Sequence, residues 1–153
     1  LSKEYLSFSA AHFTVFSAQD RENLHGHNFA VQSHASAIVD DNGLTFDYAL
    51  LKSKIKSLCD ELDEKLLLPA NSPHLEIRHN PDGVEVIFFD ERIHFLKRDV
   101  LLLPVTNVTL EELSRWFITK LHADSEIRSL GLEELEVRVS SGPGQWGVSQ
   151  WRQ

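Results

Sequence analysis

The chain has 153 residues, 42% hydrophobic and 25% charged, which suits one globular domain spanning 1–153 with a core of its own and excludes a disordered tail. Fifteen Lys and Arg stand against 23 Asp and Glu, and the formal charge of −8 excludes a non-specific grip on nucleic-acid phosphates or anionic lipid. The single cysteine, Cys59, excludes a disulfide framework or a thiolate metal site, and with no signal-peptide pattern at Leu1–Tyr5 a cytoplasmic location is the default expectation. No apolar run approaches the roughly 18 residues of a membrane-spanning helix. Eight histidines beside one cysteine and no methionine point instead to imidazole chemistry.

Glu4, Leu6, Phe8 and Ala10 alternate with Lys3, Tyr5, Ser7 and Ser9, a period of two that predicts a half-buried strand over Lys3–Ala10. A loop through Asp20–Asn23 leads to a second strand over Phe29–Val39, which ends in the turn Asp40-Asp41-Asn42-Gly43. The two strands form a hairpin across the long loop. Asp47 is placed to cap a helix whose buried stripe is Leu51, Ile55, Leu58 and Leu62, ending near Asp63, with Lys52, Lys54, Lys56 and Glu61 on its other face. Pro69, Asn71 and Pro73 then read as irregular chain, and Val84–Phe89 with Ile93–Leu96 as a small accessory hairpin about Asp90-Glu91-Arg92.

Thr109-Leu-Glu-Glu112 has the form of a capping box, and Leu113, Trp116, Phe117 and Leu121 give a second amphipathic helix. Leu135, Val137 and Val139 mark a third long strand, Gly142-Pro-Gly144 a turn, and Trp146–Trp151 a fourth strand. The order predicts an α+β domain: a four-stranded antiparallel sheet with two helices on one face.

His25-Gly26-His27 opens the second long strand, where residues two apart share a face and both imidazoles reach one point. His12 ends the first strand across the hairpin and supplies a third nitrogen. Three neutral imidazoles suit Zn²⁺ at about 2.0–2.1 Å and leave a fourth position open for water or substrate. A His-x-His pair also arises in proteins that bind no metal, and it is the third histidine that favours a site. His34, His74, His79, His94 and His122 have no such spacing and read as surface or half-buried imidazoles.

Phe8-Ser-Ala-Ala-His12 followed by Leu24-His-Gly-His-Asn28 resembles the zinc signature of the 6-pyruvoyltetrahydropterin synthase and 6-carboxytetrahydropterin synthase family. The resemblance extends to Asp47 at the first helix, Leu62-Asp63 at its end, and Thr109-x-Glu111 opening the second helix. It implies the tunnelling fold, assembled as homo-oligomeric trimers or stacked hexamers, and action on 7,8-dihydroneopterin triphosphate or a related small pterin-like molecule. It also implies Zn²⁺ on His12, His25 and His27, and substrate contacts at Thr109, Glu111 and the end of the third long strand.

Departures from the family pattern are as informative. The positions of the usual catalytic cysteine hold Arg21 and Gln19, whereas Glu22-Asn-Leu-His25 has the Glu-x-x-His-Gly-His form of a branch that cuts the substrate side chain to give 6-hydroxymethyl-7,8-dihydropterin. Glu22 is thus the candidate base, although a loop glutamate is also what a solvated surface supplies. Asp63 is followed by Glu64 where the family has a histidine, so these two form the remaining acid/base candidates without the usual Asp–His relay. Ser141 stands where a glutamate ordinarily anchors the pterin, leaving ring donors that Gln145 or the Gly142–Gly144 carbonyls would have to meet. Three readings follow: a zinc-dependent carbon–oxygen or carbon–carbon lyase of the pterin pathway, a divergent zinc protein with a non-pterin substrate, and a non-enzymatic oligomeric binding protein.

Overall fold

A computed structural model describes residues 6–153. Lys3, Glu4 and Tyr5, the predicted beginning of the first strand, lie outside the described residues. That strand, β1 (Leu6–His12), runs two residues past its predicted end, and β2 (His25–Ala37) begins at the first histidine of the His-Gly-His motif and stops before Ile38. They pair antiparallel with Phe8 opposite Phe29, Ala10 opposite His27 and His12 opposite His25. The remaining elements are α1 (Tyr48–Leu62), β3 (Lys65–Pro69), β4 (Glu76–Asn80), β5 (Gly83–Phe88), β6 (Glu91–Phe95), β7 (Val100–Leu103), α2 (Leu110–Ala123), α3 (Ser125–Arg128), β8 (Leu132–Gly142) and β9 (Gln145–Arg152).

The main sheet has the order β7-β3-β1-β2-β8-β9. Its β1-β2-β8-β9 portion is the predicted antiparallel four-stranded unit, but β3 joins β1, and β7 joins β3, in parallel. The expectation of irregular chain around Pro69 is therefore corrected: Lys65–Pro69 is a strand, and Pro69 ends it. The period-two signal fails there because β3 is covered on both sides. Leu67 faces the core that contains α1 and α2, while Leu66 and Leu68 face a second cluster with Phe13, Val15, Val84, Val86 and Phe88. A strand buried on both faces reads as a continuous apolar run.

What covers that second face is the accessory unit, a three-stranded antiparallel sheet β4-β5-β6 rather than the predicted hairpin. The missed strand, β4, has four of its five residues exposed, so no apolar pattern marks it. Phe89 and Asp90 make the tight turn between β5 and β6, Phe89 taking φ +52°.

The helices follow their caps. Asp47 accepts from the Leu50 amide, and α1 buries Leu51, Ile55, Cys59 and Leu62, so Cys59 replaces Leu58 in the predicted stripe. Thr109 Oγ1 accepts from the Glu112 amide, but the Glu112 carboxylate pairs with Arg115 instead of reaching back, so only half of the predicted capping box forms. Gly147 of β9 lets α2 dock: a Cβ there would lie 2.2 Å from the carbonyl carbon and oxygen of Leu110. No helix among the described residues is long and apolar enough to cross a membrane.

Candidate metal centre and its surroundings

The register that aligns His12 with His25 and Ala10 with His27 gathers three imidazoles on the helix-covered side of β1 and β2. Their ring centroids are 4.7–5.3 Å apart, and one nitrogen from each lies within 4.8 Å of the others. Gly26 sits between them with the Ala10 carbonyl oxygen 3.2 Å from where a Cβ would stand, so a side chain there would press on β1.

Hydrogen bonds decide which nitrogens are free. His12 Nδ1 lies 2.9 Å from the Val108 carbonyl and His25 Nδ1 lies 2.7 Å from the Asn23 carbonyl. A carbonyl only accepts, so each Nδ1 carries the proton and each Nε2 presents a lone pair, the usual arrangement for a metal-binding histidine. His12 Nε2 is buried and has no protein partner. Such an atom costs about 1–3 kcal/mol unless something meets it. A cation held by the three nitrogens would meet it, and the donor set of three imidazoles fits Zn²⁺. Burial lowers the pKa of His12, with the neighbouring His25 and His27 adding to the effect, and burial with His25 lowers that of His27. Both rings are thereby kept in the neutral form that binds a metal.

Glu22 stands close by. Its carboxylate Oε2 accepts from the Thr14 amide at 2.9 Å while its own amide donates to the Thr14 carbonyl at 2.8 Å. Burial alone pushes this carboxyl up, but hydrogen bonds from Thr14 and the nearby His25 and His12 outweigh it and hold the pKa below the usual range. The group is an anion at neutral pH, held by Thr14.

The remaining predicted residues divide into two places. Asp63 Oδ1 accepts from the Ser9 amide at 2.7 Å, and Glu64, at φ +56°, donates its amide to the Ser9 carbonyl. Neither bonds to the three histidines. Glu64 instead borders an open groove of about 540 Å³ with Ser9, Gly26, His27, Asn28 and Lys65. Thr109 caps α2 directly after Val108, whose carbonyl orients His12, and Glu111 is exposed in the first turn. Ser141 is half-buried, one residue beyond the Ser140–Ala30 pair, and the neighbouring Gly142 carbonyl already accepts from the Ser140 hydroxyl. The other five histidines are all exposed.

Sequence reasoning missed Asn107 and Val108. Asn107 accepts from the Val15 and Val108 amides and donates to the Val15 carbonyl, tying the loop after β1 to the entry of α2 across 92 positions. No local pattern marks such a tie.

Fold and site together define an α+β domain with a cluster of three histidines able to hold a metal ion where a β-hairpin meets a helix entry. A sequence model of the 6-pyruvoyl tetrahydropterin synthase family matches residues 1–150, and the chain belongs to that family. A curated relative from Methanocaldococcus jannaschii, provisionally named 6-carboxy-5,6,7,8-tetrahydropterin synthase, is 31% identical over 144 residues, covering 92% of this chain and 86% of the relative. The solved 6-pyruvoyl tetrahydropterin synthases of Plasmodium vivax and Plasmodium falciparum are 29% and 30% identical and superpose with a TM-score of 0.89, over 97% of this chain and 93% of theirs. Two further structures of the Plasmodium vivax protein carry a catalytic glutamate replaced by alanine or cysteine. The architecture is thus the tunnelling fold.

Proposed function

We propose that this protein is a zinc-dependent lyase acting on the side chain of 7,8-dihydroneopterin triphosphate or a close relative, with His12, His25 and His27 holding the metal and Glu22 as base. The observation that carries the reading is the partnerless Nε2 of His12 among three convergent imidazoles, beside an ionised Glu22. The catalytic glutamate of the Plasmodium vivax protein supports a carboxylate in this role.

Zinc bound there supplies Lewis-acid polarisation of a substrate side-chain oxygen. The Glu22 carboxylate takes the proton. When that proton leaves a hydroxyl oxygen, the O–H electron pair forms a carbonyl and the adjoining carbon–carbon bond breaks. The electron pair of that bond passes into the conjugated C=N of the ring before Glu22 returns the proton to the carbon left on the heterocycle. Thr14 holds the carboxylate in place. Glu64, which lines the groove beside His27, and Asp63 are the further proton carriers. Thr109, Glu111 and Ser141 line the heterocycle's place, with Gln145 supplying the acceptor that Ser141 lacks.

We read the protein as a cytoplasmic homo-oligomer, a trimer or stacked hexamer, which light scattering checks. Metal analysis of the purified protein followed by chromatography of products from 7,8-dihydroneopterin triphosphate tests the activity. One zinc per chain with a cleaved side chain supports it, and full zinc with no product sinks it.

A second reading keeps metal and fold but changes the substrate, and Ser141 with Glu64 favours it. A thermal-shift screen of pterins, purines and small aldehydes separates the two. If zinc serves only to hold a non-enzymatic oligomer together, replacing His27 dissociates it.

A further inference from the structure

We infer that Arg21 and Glu91 form a fastener that positions Glu22, giving the accessory sheet a duty at the site. The inference rests on the reading of Glu22 as base. A base on a loop acts only from a defined place, and displacement of about 1 Å costs on the order of a hundredfold in rate. The loop from Phe13 to Leu24 is exposed from Phe16 to Asp20. Its two limbs meet at the bridge between Val15 and Arg21 and at the Thr14–Glu22 hydrogen bonds. Asn107 secures the outgoing limb through Val15. On the returning limb, the tie to another element is made by Arg21.

Arg21 uses its guanidinium on both sides at once. Nη1 donates to the Glu22 carbonyl at 2.8 Å, while Nε and Nη2 donate to the two oxygens of Glu91 at 3.2 and 3.1 Å. Its carbon centre lies 4.9 Å from the Phe13 ring centroid and 5.7 Å from that of Phe88, so the side chain sits in an aromatic slot between β1 and β5. The backbone of Glu91 is held in the sheet, because the residue opens β6 opposite Phe88, beyond the two-residue turn at Phe89-Asp90. A lysine has no planar fork with which to grip a carboxylate and a carbonyl together. Half of the Glu91 side chain is exposed, so the pair adds little to stability and its value is geometric. Arg21, at one of the two positions where the family pattern has its usual cysteine, is thus a positioning residue, and Glu22 beside it carries the chemistry.

The test uses the zinc-loaded full chain with 7,8-dihydroneopterin triphosphate, comparing Glu91→Gln, Arg21→Lys and the double variant. Each single change is expected to lower kcat about tenfold while KM stays within about twofold and zinc remains stoichiometric. The double variant falls no further than the weaker single, because both remove one fastener. The Thr14 amide, which donates to Glu22, exchanges faster in each variant. An unchanged kcat in Glu91→Gln, a loss confined to KM, or multiplicative losses in the double variant overturns the inference. If the unaltered chain does not turn over this substrate, the assigned activity falls, and Thr14 exchange decides the fastener alone: unchanged exchange in Glu91→Gln sinks it.

Discussion

The two halves of the main sheet solve burial differently. Strands β1, β2, β8 and β9 pack one face on α1 and α2, and alternate accordingly, whereas β3 lies between that core and the β4-β5-β6 sheet and is apolar on both faces. The difference carries into the site. The three histidines proposed to hold the metal stand on paired strands whose register the buried Phe8–Phe29 stack supports, with ring centroids 4.8 Å apart. Glu22 stands on a loop that the accessory half must hold.

The sharpest way to break this comparison is at the ligands. His25→Ala or His27→Ala is expected to abolish stoichiometric zinc and turnover while circular dichroism stays native, since Phe29, Val31 and the core behind them are untouched. Loss of zinc together with loss of the fold would show that the strands are not rigid by themselves.

Gly147→Ala attacks the antiparallel half through its packing. The added Cβ meets backbone of Leu110 at 2.2 Å and of Glu111 at 2.6 Å, and backbone cannot swing aside. A loss of roughly 3 kcal/mol or more is expected, read as a fall in the urea midpoint, with zinc binding weakened as the α2 entry moves from His12.

Leu68→Ala probes the other half. The side chain is fully buried in the second cluster, so the cost is about 2–5 kcal/mol, while zinc stoichiometry is retained. A variant that loses zinc as readily as Gly147→Ala would erase the distinction between the halves.

The smallest effect concerns Cys59. Burial first, and then Asp60, push its thiol up to about 12, so iodoacetamide should leave it unmodified in the native protein through pH 9 and label it once urea unfolds the chain. Turnover after such treatment is expected to be unchanged. Rapid native labelling would place α1 further from the sheet than its buried face implies.

The long strands, both main helices and the His-x-His pair were legible because each is a local pattern: period two, a capped period of three to four, and two like residues on one face. Joining His12 to that pair required only the hairpin. Strand β3 was hidden because its environment comes from a segment some twenty residues later, and β4 because its side chains are mostly exposed. In the sequence Arg21 is only a departure from the family pattern, because its partner Glu91 lies 70 positions away.

The sequence by itself determined the fold class and the histidines that come together, since spacing along a strand is spacing in space and the hairpin supplies the third; Glu22 was singled out by its place in the family motif. The tertiary structure decided which nitrogens are free, what orients them and what holds Glu22. The Val108 carbonyl, the Asn107 tie and the Glu91 fork come from residues 70 to 96 positions away, and only the closed sheet brings them within a hydrogen bond.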